Sequence, residues 1–160
     1  MPPILTADRL YTINQASSSC GLPESTLRYY EQIGVLPEAR RDPANGYRVY
    51  CAEDLRLLDV VACLSGTGMP VADMREYISN TTRGRPAALT QLALMEAQRD
   101  RLAVEAEALA TKRRYVDLKV AYWKAVAAGD EAEAERIAAE ASPLAGLVRS
   151  DASAARTAAK

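Results

Sequence analysis

The chain has 160 residues, 49% of them hydrophobic and 26% charged, and its 20 basic and 21 acidic side chains leave a formal net charge of −1. That length holds one globular domain plus an extension, and the charge balance supplies no bulk attraction to nucleic acid. Three cysteines and no histidine exclude a disulfide framework and a thiol nucleophile activated by imidazole.

Along the chain, Thr12 is placed to cap a first helix over about residues 13–19, which Gly21 ends in a left-handed turn. Pro23-Glu24-Ser25 opens a second helix running to about Gly34, with proline in a permitted first-turn position and glutamate favourable to the dipole. Leu27 and Ile33 fall on one side of it; Thr26, Arg28 and Tyr29 fall on the other. Asp42-Pro43 and Asn45-Gly46 are turn signals ahead of the alternating Tyr47-Arg48-Val49-Tyr50, so residues 40–50 read as a hairpin. Leu55, Leu58, Val61 and Ala62 predict a buried-face helix from Ala52 to about Leu64, broken by Gly66-Thr67-Gly68. Pro70 opens another helix, and Gly84 to Pro86 punctuates again.

A helix, a tight turn, a second helix and a hairpin suit a DNA groove and its flanking phosphates. Thr26 and Arg28 are positioned for base edges or phosphates, and Tyr29 can donate its hydroxyl to phosphate. Residues 1–80 nevertheless carry seven arginines and no lysine against ten carboxylates. Any grip therefore rests on locally placed arginines and on backbone amides at helix N-termini. A generic helical bundle used for protein interaction is the bland reading of the same pattern.

The longest signal follows. Leu92, Met95, Arg99, Leu102, Ala106, Leu109, Arg113, Val116, Val120 and Trp123 are spaced alternately by three and four, and eight of these ten are apolar. This is a heptad seam on a helix about 60 Å long. Nothing else in the chain promises comparable length, so a second copy is the expected partner. After Gly129, Asp130 to Ala141 is an Ala/Glu-rich helical candidate, and from Ser142 onward the composition suggests a short element or a frayed end.

The runs STLRYYEQIGVLP, RRDPANGYRVY, AEDL and MPVADMREY, with the single long helix behind them, resemble the MerR family of bacterial transcriptional regulators over roughly residues 10–125. The resemblance implies a mainly α fold: a winged helix-turn-helix DNA-binding domain over 10–80, then a dimerisation helix over 84–126 that forms an antiparallel coiled coil. Residues 127–160 are then a short helical or frayed tail. It implies DNA contact by Thr26, Arg28 and Tyr29 on the recognition helix and by Tyr47, Arg48 and Tyr50 on the first wing. The partners implied are double-stranded promoter DNA, RNA polymerase at that promoter and a second copy of the chain. The chain departs from the family pattern at Ser65-Gly66-Thr67-Gly68, where relatives often place basic residues, which weakens contact by the second wing.

The implied activity is a transcriptional regulator, not an enzyme, that activates by bending and untwisting promoter DNA. The alternative is an effector-independent repressor or architectural protein. No cofactor and no metal are expected: no cysteine follows residue 63 and there is no histidine, which argues against soft-metal and iron–sulfur ligation. The position of Cys63 and the run Tyr115 to Trp123 are similar to those of the aldehyde- and thiol-stress-responsive subgroup (NmlR/AdhR-like). Attack by a small electrophile or oxidant on Cys63, or an unidentified small molecule beside the coiled coil, are the two triggers left open. The apolar neighbours Val61, Ala62 and Leu64 point the other way, to a buried and inert thiol. Neither a secretory signal nor a membrane span is legible, so a cytoplasmic home with no membrane partner is expected.

Overall fold

The computed structural model describes residues 9–158, and the side chains of 9–151. The chain divides into two compact units at Gln98/Arg99. The first holds strand β1 (Tyr11–Thr12), helices α1 (Ile13–Cys20) and α2 (Glu24–Gln32), strands β2 (Arg40–Arg41) and β3 (Arg48–Tyr50), and helices α3 (Ala52–Gly66) and α4 (Val71–Asn80). Two 3₁₀ turns lead into α5 (Ala88–Ala128), and α6 (Glu131–Ala158) follows.

Local chemistry sets the starts and stops of the first unit. The Thr12 hydroxyl accepts from the Gln15 N–H at 3.3 Å while the Gln15 side chain accepts from the Thr12 N–H at 2.9 Å, a reciprocal cap on α1. Gly21, at φ 75°, turns the chain into α2. The strands form an antiparallel sheet ordered β1-β3-β2, with Tyr11 opposite Tyr50 and Arg40 opposite Val49. Strand β1 is an addition to the predicted hairpin.

The core lies between α1, α2, α3 and the sheet. Leu27, Val35, Leu55, Leu58, Val61 and, from α4, Met74 are its largest fully buried side chains, and each contributes about 1.5–3 kcal/mol by leaving water. Position 27 is the inward face of α2, so Arg28 and Tyr29 point outward by helical geometry. At the far end of this unit the buried Gln98 amide donates to the Thr67 carbonyl at 2.7 Å, fastening the first turns of α5 to the α3–α4 corner.

In the second unit α5 turns at Gly129 (φ 75°) into α6, which Asp130 caps by accepting the Glu133 N–H at 3.0 Å. Ala125, Ala134 and Ile137 form a small core with Leu118, Ala121 and Tyr122 against it. Arg114–Glu140 at 3.1 Å and Lys112–Asp151 at 3.5 Å continue the pairing, so α6 runs back antiparallel along α5.

This corrects the expectation of a short or frayed tail and of a chain with no second long helix. The Ala, Leu and Glu content favours helix, and Ala134, Ile137, Ala141, Leu144 and Val148 repeat every three or four residues, a periodicity that composition alone conceals. The helix continues through Pro143, which forgoes one backbone hydrogen bond. However, within this unit α6 does not cover the seam: Leu102, Leu109, Val116, Val120 and Trp123 all stay exposed. Among the described residues, no helix is long and apolar enough to cross a membrane.

Candidate nucleic-acid interface

Helix α2 presents Thr26, half-buried, and Arg28 and Tyr29, both exposed. The Arg28 guanidinium donates to the Glu24 carboxylate one turn back at 2.9 Å. The Tyr29 ring lies 5.8 Å from that of Tyr30, tilted against it. Tyr30 is buried in the core, its hydroxyl 2.9 Å from the Ser65 hydroxyl on α3.

The hairpin tip is organised by one carboxylate. Asp42 accepts from the Ala44 N–H at 2.8 Å and from the Asn45 amide at 3.1 Å, and Asn45 in turn accepts from the Tyr47 N–H at 2.9 Å. The result projects Tyr47 into solvent with 73% of its surface exposed. Arg41 is also exposed, its guanidinium reaching only the Gly46 carbonyl at 3.4 Å. Between wing and helix lies an open cleft of about 250 Å³, lined by Thr12, Arg28, Arg41, Tyr47 and Arg48 among others. Thus Arg28 of α2 meets the hairpin residues Tyr47 and Arg48 around one space.

Two wing residues do other work than the sequence suggests. Tyr50 is 6% exposed and packs in the core opposite Tyr11, which corrects its assignment as a DNA contact: alternation along β3 turns position 50 inward when 47 is at the tip. Burial pushes its phenol above the ordinary range, and the Glu31 charge adds to that. Arg48 is half-buried and grips Glu31 on α2 with two hydrogen bonds, Nε to Oε2 at 2.9 Å and Nη2 to Oε1 at 3.0 Å. That grip holds the Glu31 carboxyl below the usual carboxylate range despite its burial.

Cys63 is exposed on α3, whereas Cys20 and Cys51 are half-buried. The expectation from its neighbours is corrected by helical phase: Leu58, Val61 and Leu64 point inward, which leaves Asp59, Val60 and Cys63 on the outer face.

Sequence reasoning missed Glu31, Arg40, Arg41 and Arg75. Arg40 pairs with Asp54 at 3.1 Å, and Arg75 of α4 donates from Nε to the Ile33 carbonyl at 3.0 Å, closing the end of α2. Asp54 also caps α3 by accepting the Cys51 N–H at 2.7 Å. Burial opposes its ionisation, but Cys51 and Arg40 outweigh it and the carboxyl is held below its ordinary value. The arginines of the hairpin were a visible signal; which carboxylate each would meet was not.

Residues 11–81 match the sequence profile of the MerR HTH family regulatory protein. An uncharacterised HTH-type transcriptional regulator of Haemophilus influenzae is 33% identical over 117 residues, which cover 71% of this chain and 84% of that one. The chain belongs to the MerR family. AdhR of Bacillus subtilis, an HTH-type transcriptional regulator, is 31% identical over 90 residues, 56% of this MerR-family chain and 64% of AdhR. The crystal structure of HiNmlR, a MerR family regulator lacking the sensor domain and bound to promoter DNA, superposes with a TM-score of 0.59 at 31% identity. The match covers 78% of this chain and 96% of HiNmlR. Both relatives place this MerR-family chain near the NmlR/AdhR-like subgroup.

Proposed function

We propose that this MerR-family chain is a homodimeric transcriptional regulator that binds double-stranded promoter DNA. The observation that carries the reading is the cleft between α2 and the wing, with exposed Arg28 on one side and exposed Tyr47 and Arg41 on the other. Thr26, Arg28 and Tyr29 enter a major groove from α2, and Tyr47 reaches the adjoining backbone. The likeness to HiNmlR, solved on promoter DNA, supports this assignment. A second copy covers the open α5 seam and sets two such prongs on one duplex. Fixing both prongs lets the dimer bend and untwist the spacer between promoter elements so that RNA polymerase engages both, with deformability adding to base contact.

Cys63 is the candidate sensor for a small electrophile or oxidant; its exposure supports access, one of the two conditions a reactive thiol needs. The test is fluorescence anisotropy of the full chain with a duplex of its own upstream region. Retention of binding at moderate salt is the expected result, and its absence there overturns the reading. For the sensor, in vitro transcription from that duplex should respond to formaldehyde with wild type and not with Cys63→Ser; an unaltered response in the variant removes Cys63 from the mechanism.

A further inference from the structure

We infer that Glu31 is a positioning residue for DNA binding: it holds Arg48 as a strut between α2 and the wing, so that Arg48 acts through wing geometry and not as a phosphate ligand. This rests on the DNA-binding reading above and divides its wing residues into those that touch the duplex and those that hold the others in place.

Four observations support the division. The contact is a two-pronged guanidinium–carboxylate fork, 2.9 and 3.0 Å, the geometry that fixes direction as well as distance. It joins residues 17 positions apart on two different elements, so it constrains tertiary placement in a way that the one-turn Arg28–Glu24 pair does not. The side chains are only 24% and 12% exposed, shielded where a surface pair is screened. Finally, the Ala39 backbone and the charge of Arg41 also favour the ionised form of Glu31, which keeps the carboxylate available to Arg48.

The consequence for a polyanion follows from charge. An arginine neutralised by an adjacent carboxylate offers a phosphate no net positive charge, and the carboxylate repels that phosphate. Arg41, exposed and without a carboxylate within ion-pair distance among the described residues, and Arg28, whose one-turn pair with Glu24 is solvent-exposed and so opens at little cost, are the cations left to face the backbone. Removing Glu31 thus takes away the strut while leaving Arg48 in place. The wing then drifts, and Tyr47 loses its alignment with α2.

The test is a double-mutant cycle on the full chain with Glu31→Gln, Arg48→Gln and the pair together. Affinity for a fluorescein-labelled duplex of the upstream region is read by anisotropy at several salt concentrations, and circular dichroism verifies folding at the assay temperature. Each single variant should weaken binding by about tenfold, the double variant no further, because both break one interaction. The dependence of log K on log salt should keep the wild-type slope in all three. The proposal is overturned if Arg48→Gln lowers that slope by about 0.9, the signature of one lost phosphate contact, if the two losses multiply in the double variant, or if Glu31→Gln tightens binding by releasing Arg48. Should Glu31→Gln fail to fold, Glu31→Asp takes its place: it keeps the charge but withdraws the carboxylate by one methylene, and the same criteria apply. Wild type that does not bind at all sinks the DNA-binding reading itself; wild type that binds while the cycle is additive sinks only the positioning role.

Discussion

Leu109→Lys isolates what the open face of α5 is for. Leu109 sits in the middle of the heptad seam with 67% of its surface exposed in the single chain. Complete burial of a leucine side chain is favourable by about 1.5–3 kcal/mol, so covering the exposed two-thirds is worth roughly 1–2 kcal/mol per copy. A twofold dimer buries two such residues, and losing both costs about 2–4 kcal/mol, or roughly two orders of magnitude in the dissociation constant. The substitution spares the fold of the single chain, because leucine and lysine have similar helix propensities and the position lies in neither hydrophobic core cluster. Sedimentation velocity across a wide concentration range reads the shift directly. Val104→Lys, at a residue equally exposed but out of the three-four rhythm, serves as the control and should leave the dimer intact. An unchanged dissociation constant for Leu109→Lys would show that the seam is not where two copies meet.

Three further outcomes follow from the site. Arg28→Ala should weaken DNA binding and reduce the salt slope by about 1, yet leave the melting temperature nearly unmoved, because an exposed one-turn ion pair to Glu24 contributes little; a large loss of stability would assign Arg28 a structural role. The carboxyls of Glu31 and Asp54 are held below their ordinary values of 4.5 and 3.8, so the unfolded chain binds protons before the folded one does. Their stabilisation is thus present above about pH 5 and lost as pH falls through the lowered folded values. Urea titrations should show stability falling through this acid window, less steeply in Glu31→Gln; equal acid dependence in both proteins would refute the linkage. Iodoacetamide applied to the native chain should modify Cys63 ahead of Cys20 and Cys51, as read by peptide mass spectrometry, and the reverse order would show that exposure does not govern these thiols.

Much of the first unit was legible in the sequence because its signals are local. Thr12, Gly21, Pro23, Asn45-Gly46, Gly66-Thr67-Gly68 and Pro70 each act within a turn of where they stand, and helices α1 to α4 begin and end close to where such local signals predict. The buried face of α3 followed from spacing, as did the seam of α5. Errors arose where a residue's role depends on phase or on a partner distant in sequence. The apolar neighbours of Cys63 leave its two readings, reactive or core, undecided, because one step along a helix rotates a side chain by about 100° and takes it from core to solvent. Tyr50 was grouped with Tyr47 by proximity, although the pleat and the bend at the tip send them to opposite environments. Helix α6 was judged by composition, although the apolar period from Ala134 to Val148 was there to be counted.

Charge shows the same division between what is local and what is not. A count over residues 1–80 gives a negative sum and argues against nucleic acid, yet the carboxylates are not spread evenly over the surface. Glu31 and Asp54 are spent on Arg48 and Arg40, and each of these pairs joins two different elements. Acidic residues therefore serve here as fasteners for cations and not as a repulsive field at the wing. The cost of that design is low bulk attraction: with few unneutralised arginines facing the duplex, few counterions are released on binding. The salt slope of the wild-type dimer should accordingly be shallow for a regulator of its size, and discrimination among DNA sequences must come from the few groups of α2 that reach base edges and from the ease with which a given spacer distorts. A steep slope, of the kind that many phosphate contacts produce, would mean that these ion pairs open on DNA and release their arginines to it.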